Sequence, residues 1–317
     1  MTSAETGDSK PRALLVVNPV ARGAPHIDKL RRATAWLESQ GWEAQLTLTE
    51  ESGHATDLAR EAAASGFDVV VACGGDGTIN EVANGLAGTP TALAVIRGGT
   101  ANVWAKEAGI PRDPIDAVRL IIDGERRRMD LGVAEPPPGE GSPRHFLLMA
   151  GIGLDGHIVS RVPGNLKKRF GSFSYVFYGL REGLRYKARK TELVIDGEPV
   201  AVDLSWLLAA NTRSYGGVIN VAHHALADDG LLDLYVFEGQ GIRRSLAHGL
   251  RVLFRRHDSA LLYRRAQRIE LPASPSFEAQ VDGDPLGFAP RVLRMAPQAL
   301  TVVLPKTKKS PLFTSPA

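Results

Sequence analysis

Short apolar runs alternate with longer amphipathic stretches in the first part of the chain. Ala13–Val17 is a β-rich run, after which Ile27, Leu30, Ala33 and Leu37 recur at helical spacing and Gly41 closes the segment. Ala44–Leu48 reads as a second strand, Ala55–Ser65 as an alanine-rich helix ended by Gly66, and Phe67–Ala72 as a buried strand. Ile79–Leu86 reads as helical, Ala92–Ile96 as extended and Ile115–Ile122 as helical. Strands alternating with helices predict a parallel α/β sheet, and such sheets bind ligands beyond the carboxyl ends of their strands.

The pattern changes after Val133. The proline- and glycine-rich segment Ala134–Arg144 continues neither a helix nor a central strand. Beyond it come the extended runs Phe146–Ala150, Thr191–Ile195, Val200–Leu208, Leu231–Phe237, Ala266–Leu271, Phe277–Val281 and Leu300–Leu304. Asp196-Gly197 and Asp282-Gly283 are turn dipeptides beside them. Helical pieces are predicted near Ser174–Arg185 and Ile242–Phe254. The expected division is an α/β domain over 12–133, a β-rich antiparallel domain over 134–305 whose end packs back on the first, and a basic tail over 306–317.

A chain of 317 residues suits this division, at about 150 residues per domain. Cys73 is the sole cysteine, which excludes an internal disulfide framework and a cysteine-rich zinc site. The polar first residues carry no secretory signal, and no apolar run reaches the roughly 18 residues that span a bilayer, so a soluble, cytoplasmic protein is expected. Net charge is only +3, but Arg251, Arg255, Arg256, Arg264, Arg265 and Arg268 cluster, as do Lys167, Lys168 and Arg169. Such clusters suit a solvated surface, a phosphate ligand, an anionic membrane or nucleic acid.

Candidate chemistry concentrates in Val71–Glu81, where a buried strand runs into Gly74-Gly75-Asp76-Gly77-Thr78 and a helix follows. The backbone N–H groups of Gly77, Thr78 and Ile79 are expected at a helix N-terminus, which favours phosphate. Asp76 is placed to hold magnesium directly or through water, whereas a plain helix cap would not need the surrounding glycines. Asn18-Pro19 with Gly23 follows the first strand, and Gly98-Gly99-Thr100-Ala101-Asn102 follows the fourth. All three turns should converge at the carboxyl edge of one sheet. There is no G-x-x-x-x-G-K-[ST] motif, so the chain is not a P-loop enzyme.

Together these segments resemble the diacylglycerol kinase catalytic-domain family, which includes sphingosine kinases and soluble bacterial lipid kinases. Ala150–Gly156, Ala225–Leu234 and Val281–Asp284 extend the likeness through the second half. The resemblance implies ATP contacts at Asn18, Thr49, Gly74, Gly75, Asp76, Gly77, Thr78, Ile79 and Thr100. It implies a magnesium site at the Leu226 and Leu231 carbonyls and the Asp229 carboxylate, and a general base at Asp284. Asp76 and Asp284 are then the catalytic carboxylates. Two departures stand out: Asp284 replaces the family's usual glutamate, and Val103-Trp104 stands where many members carry Asp-Phe.

Gly151-Ile-Gly-Leu-Asp-Gly156 fits a dinucleotide-binding pattern but lacks the acidic residue about 20 positions on, at the end of a following strand. His223-His224 has no zinc-like partner spacing, and Cys73 reads as packing. Phe170, Phe173, Tyr175, Phe177 and Tyr178, beside the Lys167 cluster, suit either a membrane-surface patch or a packed helix. The expectation is a magnesium-dependent kinase that moves the ATP γ-phosphate to a lipid alcohol in a cleft between two domains. Its partners would be ATP, lipid and the inner membrane face rather than nucleic acid, with room for a homodimer. The rival readings are a kinase of the NAD kinase type and a lipid- or nucleotide-binding protein without turnover.

Overall fold

The computed structural model describes residues 10–161, 186–215, 219–239, 261–274, 276–306 and 310–314. The chain divides into two compact units. One holds residues 10–99, 109–127 and 300–306; the other holds 100–108, the described residues from 128 to 299, and 310–314. Thr100–Ala108 and Arg128–Val133 therefore group with the second unit, although the sequence pattern draws them into the first.

The elements begin with β1 (Arg12–Val17), α1 (Ile27–Ser39), β2 (Glu43–Leu48), α2 (His54–Ala64), β3 (Val69–Gly74), α3 (Asp76–Leu86), β4 (Ala92–Arg97), α4 (Val103–Glu107) and α5 (Pro114–Asp123). There follow β5 (Glu125–Glu135), β6 (Arg144–Phe146), β7 (Met149–Gly153), α6 (Leu154–Arg161), β8 (Arg189–Ile195), β9 (Glu198–Ala210), β10 (Ser214–Tyr215) and β11 (Ile219–Asn220). The last are β12 (Leu232–Glu238), β13 (Leu261–Ala266), β14 (Arg268–Glu270), β15 (Ala279–Val281), β16 (Asp284–Pro285) and β17 (Val292–Leu304).

In the first unit the strand order is β2-β1-β3-β4, extended by Thr301 and Val302 of β17 against Ala92 and Leu93, and every pairing is parallel. β3 is buried along its whole length, as a strand covered by helices on both faces must be. α1 turns Leu30, Ala33 and Leu37 inward and packs with α5, while α2 packs with α3. α5 begins where the Asp113 carboxylate accepts the N–H groups of Ile115 and Asp116, with Pro114 in the first turn. Because β1 lies between β2 and β3, the connection from β1 to β2 and the one from β2 to β3 run in opposite directions across the sheet. The carboxyl ends of β1 and β3 thus flank the switch point, where open α/β sheets bind ligands.

The second unit is antiparallel. The long β9 pairs with β8 through its first half, with β7 through its second, and with β12 along its other edge. β12 also pairs with β13, and β15 joins β7 to β16. Leu232, Leu234 and Val236 of β12 alternate into one apolar core with Ala150, Ile152, Leu193, Ile195, Leu207 and Ala209. Fully burying each leucine, isoleucine or valine there is worth about 1.5–3 kcal/mol. A Rossmann-like parallel α/β domain and a β-rich antiparallel, sandwich-like domain are the architecture expected from the sequence.

Several elements differ from the sequence pattern, each for a local reason. Phe146–Ala150 reads as one strand but splits into β6 and β7, because the Asp282 carboxylate takes the N–H groups of Leu147 and Leu148 at 2.8 Å each. Ala266–Leu271 splits at Gln267, whose N–H and that of Arg268 go to the Asp196 carboxylate at 3.1 and 2.8 Å. Both aspartates outcompete strand pairing locally. β5 is missed because Arg126–Arg128 alternate between partly buried and exposed before the strand becomes fully buried. The helical expectations near 174–185 and 242–254 lie outside the described residues. In the tail, Leu312 and Phe313 are buried, the Leu312 carbonyl accepts the Ala227 N–H at 2.7 Å, and Thr314 donates twice to Asp228.

Candidate active site

The three glycine-bearing turns of the first unit meet through their own backbones. The Asn18 N–H donates to the Cys73 carbonyl at 3.0 Å, and its side-chain amide donates to Thr78 Oγ1 at 3.1 Å. Gly23 donates to the Gly98 carbonyl and Gly98 to the Gly74 carbonyl, both at 2.9 Å. This packing also explains some of the glycine. A Cβ on Gly74 would strike Thr78 Oγ1 at 2.5 Å, and one on Gly98 would crowd Gly74 Cα at 3.1 Å.

α3 opens at Asp76 rather than at Ile79. Asp76, Gly77 and Thr78 therefore form its first turn, where N–H groups lack intrahelical partners. The Ile79 N–H is already spent on the Gly75 carbonyl at 3.1 Å, so it is not the free phosphate donor expected from the sequence. Gly77 is exposed and Asp76 half-buried, whereas Thr78 and Ile79 are buried. Thr49 closes β2 with its N–H on the Val17 carbonyl at 2.8 Å. The first turn of α2 is tied to α3 by Glu81, which accepts from the Ala55 N–H at 3.3 Å and whose carbonyl accepts from Thr56 Oγ1 at 2.9 Å. Glu81 belongs to the motif read from the sequence, yet its anchoring role shows only in the fold.

Arg97, the last residue of β4, is a second group the sequence pattern does not single out. Its guanidinium donates to the Ile110 carbonyl at 3.4 Å, and its Nε is buried without a hydrogen-bond partner. Burial pulls its pKa below the usual arginine value, the charge of Arg112 adds to that, and Asp76 opposes both. Two neighbouring guanidiniums beside a carboxylate form a cationic rim suited to an anionic ligand.

Thr100 groups with the second unit, whereas the other expected ATP contacts lie in the first. Beside it Val103 and Trp104 are buried, and the indole N–H meets Met129 Sδ at 3.3 Å. An aspartate at position 103 would be desolvated there, which accounts for the apolar residue.

Asp284 sits on a tight β15–β16 hairpin. Both turn residues, Asp282 (φ 50°) and Gly283 (φ 87°), are left-handed, as a two-residue hairpin of this type requires. The Asp282 carboxylate accepts the N–H groups of Leu147, Leu148 and Met149 at 2.8, 2.8 and 3.0 Å, which fixes the turn to β7. The side chain of Asp284 is 37% exposed, and Arg144 lies 3.8 Å from its Oδ2.

The expected magnesium set at Leu226, Asp229 and Leu231 lies in the loop before β12. Asp229 Oδ1 accepts the Leu231 N–H at 3.1 Å, and Arg265 occupies Oδ2. Burial raises the Asp229 pKa; the Leu231 N–H and Arg265 hold it down, while Asp233 and Asp130 push it up. Asp130, almost wholly buried, accepts from the N–H groups of Gly230 and Gln298 at 2.6 and 2.7 Å. Among the described residues no group of three or more His, Cys, Asp or Glu side chains forms a metal site. The expected set combines one carboxylate with two backbone carbonyls, and the Asp229 carboxylate has the Leu231 N–H and Arg265 as its partners in this structure.

Of the clustered arginines, Arg264 pairs with Glu198, Arg265 with Asp229, and Arg268 with Glu270. Arg251, Arg255, Arg256, the Lys167 cluster and its aromatic neighbours lie outside the described residues. Among the described residues no helix is long and apolar enough to cross a membrane.

An α/β unit with glycine-rich turns at its strand ends, followed by a β-rich unit, has counterparts among known proteins. Residues 12–134 match the family model described as the diacylglycerol kinase catalytic domain. Residues 149–304 match the YegS C-terminal NAD kinase beta sandwich-like domain. The chain is 30% identical over 307 residues to a diacylglycerol kinase of Bacillus subtilis, covering 95% of this chain and 99% of that one. It is 34% identical over 297 residues to a protein of Pseudomonas putida named probable lipid kinase YegS-like, covering 91% and 94%. A crystal structure of a diacylglycerol kinase from Bacillus anthracis matches with a TM-score of 0.71 over 94% of this chain and 98% of that one; at 23% identity this speaks to the fold. The chain belongs to the diacylglycerol kinase catalytic-domain family of lipid kinases.

Proposed function

We propose that this chain transfers the γ-phosphate of ATP to the hydroxyl of a lipid, with diacylglycerol the first candidate and a sphingoid base the next. The observation that carries the reading is the Asn18–Thr78 contact at the β1/β3 switch point, with the first turn of α3 opening beside it. Nucleotide phosphates would lie against the N–H groups of that turn, as anions do at helix N-termini. Asn18, Thr49, Gly74, Gly75, Gly77 and Thr78 shape the pocket, and Arg97 adds positive charge at its rim. Phosphoryl transfer asks mainly for positioning and charge neutralisation, which these groups provide.

Asp76 suits magnesium carried by the nucleotide, since it is a half-buried carboxylate beside the expected phosphates. When bound there, magnesium would neutralise phosphate charge. Asp229, with the Leu226 and Leu231 carbonyls, is the candidate for a second magnesium, and Arg265 is the cation beside its carboxylate in this structure.

Asp284 is proposed as the general base. Its carboxylate would accept the proton of the lipid hydroxyl as the oxygen attacks phosphorus. Being one methylene shorter than glutamate, it depends more on where its backbone is held. The test is transfer of labelled phosphate from ATP to a lipid panel in mixed micelles. Labelled lipid that disappears in Asp76→Ala and Asp284→Asn supports the reading. ATP binding without any labelled lipid in the wild type contradicts it and leaves NAD as the next substrate to try.

A further inference from the structure

The glycine segment Gly151–Gly156 resembles a dinucleotide motif, but a buried hydrogen-bond relay occupies it. Asp155, 3% exposed, lies in the first turn of α6, which packs on β7 and β15. The Tyr215 hydroxyl donates to its Oδ1, and the side-chain amide of Gln280, 2% exposed, donates to Oδ2 at 2.7 Å. The other end of that amide, Oε1, accepts the Gly283 N–H at 2.7 Å. Gly283 can only donate, so the amide orientation follows: oxygen to the turn, nitrogen to the carboxylate. Gly151 makes the room, since a Cβ there would fall 1.7 Å from Asp155 Oδ2 and 2.7 Å from Gln280 Nε2.

Burying a carboxylate and an amide in an apolar core is costly, and shape-matched apolar residues often serve stability as well or better. Here the relay ends on the backbone of Gly283, the residue preceding Asp284, while Asp282, the residue before that, is anchored by the N–H groups of Leu147, Leu148 and Met149 on its carboxylate. The hairpin turn is thus held on both sides at consecutive residues. A base that is one methylene short has little side-chain reach to correct a displaced turn, and an error of about 1 Å in a reacting group can cost about a hundredfold.

We propose that Asp155 and Gln280 are positioning residues that act through Gly283 to set the place of Asp284, an inference that rests on Asp284 being the base. Both side chains are buried in the second unit. Replacing either should lower kcat while leaving KM for ATP unchanged.

The test compares Gln280→Leu, Asp155→Asn, Gln280→Glu and the double variant Asp155→Asn/Gln280→Glu, with thermal midpoints measured throughout. The double variant reverses the donor and acceptor of the inner hydrogen bond while keeping one carboxylate and the acceptor for Gly283. Each single change is expected to lower kcat tenfold or more, with KM for ATP within twofold of wild type. The double variant should return to within about threefold of wild type. In the Asp284→Asn background, Gln280→Leu should cost nothing further. If Asp284→Asn itself leaves kcat intact, the base reading fails and the inference with it. If Asp284→Asn abolishes turnover but folded Gln280→Leu keeps kcat within twofold, or if the double variant is no better than the singles, the inference alone is overturned.

Discussion

At Gly74–Thr78 and at Gly151–Gly156 the chain makes the same move: a buried strand ends among glycines, and a helix opens on or beside an aspartate. Asp76 stays half-buried in the first turn of an eleven-residue helix, next to an exposed Gly77. Asp155 is sealed in a core with both oxygens already accepting hydrogen bonds. What separates the two is the burial of the aspartate and what lies beside it rather than glycine content. A turn whose N–H groups lack intrahelical partners can receive a phosphate, whereas a saturated network can only hold other parts of the protein in place.

Five substitutions break or sharpen that contrast, starting from the largest effect. Asp76→Ala should lower phosphate transfer by about a hundredfold or more, the scale of losing a group that handles transition-state charge. Its thermal midpoint should stay close to wild type, and an equal loss of stability would assign Asp76 a structural role. Gly151→Ala should destabilise the second unit by about 1–3 kcal/mol in urea unfolding, because the new methyl overlaps Asp155. Gly75→Ala should leave stability nearly unchanged, since its Cβ would meet only Gly99 Cα, at 3.6 Å. Any cost there should appear in ATP affinity by calorimetry.

Arg97→Met should raise KM for ATP about tenfold and adenosine binding much less, as expected of a charge-assisted phosphate contact. Equal weakening of both ligands would move Arg97 out of the phosphate rim. The smallest effect is expected at Glu278. Burial pushes its carboxyl up, but Arg161 and His157 outweigh that and leave its pKa lowered. Its contribution is therefore present above the unfolded carboxylate range and lost as pH falls through the lowered value. Because the pair is largely solvent-exposed, the stability difference between wild type and Glu278→Gln should be below about 1 kcal/mol at pH 7 and vanish in acid.

The first unit was readable in the sequence because a parallel sheet under helices leaves a strong mark: apolar strands, helical spacing, and glycines at strand ends. The second unit was readable in class but less so in detail. Asp196 and Asp282 interrupt strands that hydropathy runs together, through hydrogen bonds to residues distant in sequence. The candidate site divides in the same way. Asp76 and its glycines announce themselves locally, whereas Asp284 was singled out by family resemblance. Arg97, Gln280 and Asp155 could not be singled out, because each matters through a partner that only the fold brings near. The Ile79 N–H shows the converse: motif membership did not leave it open, because the Gly75 carbonyl already accepts it.

The most direct measurement is transfer of labelled phosphate from ATP to lipid by the wild type, Asp76→Ala, Asp284→Asn and Asp155→Asn proteins, side by side. The two aspartates with unequal surroundings should separate. Label should vanish in Asp76→Ala and Asp284→Asn, and Asp155→Asn should keep its ATP affinity while turning over at a tenth of the wild-type rate or less. Undiminished label in Asp76→Ala would contradict the account at its centre, because the half-buried aspartate would then be no more chemical than the buried one.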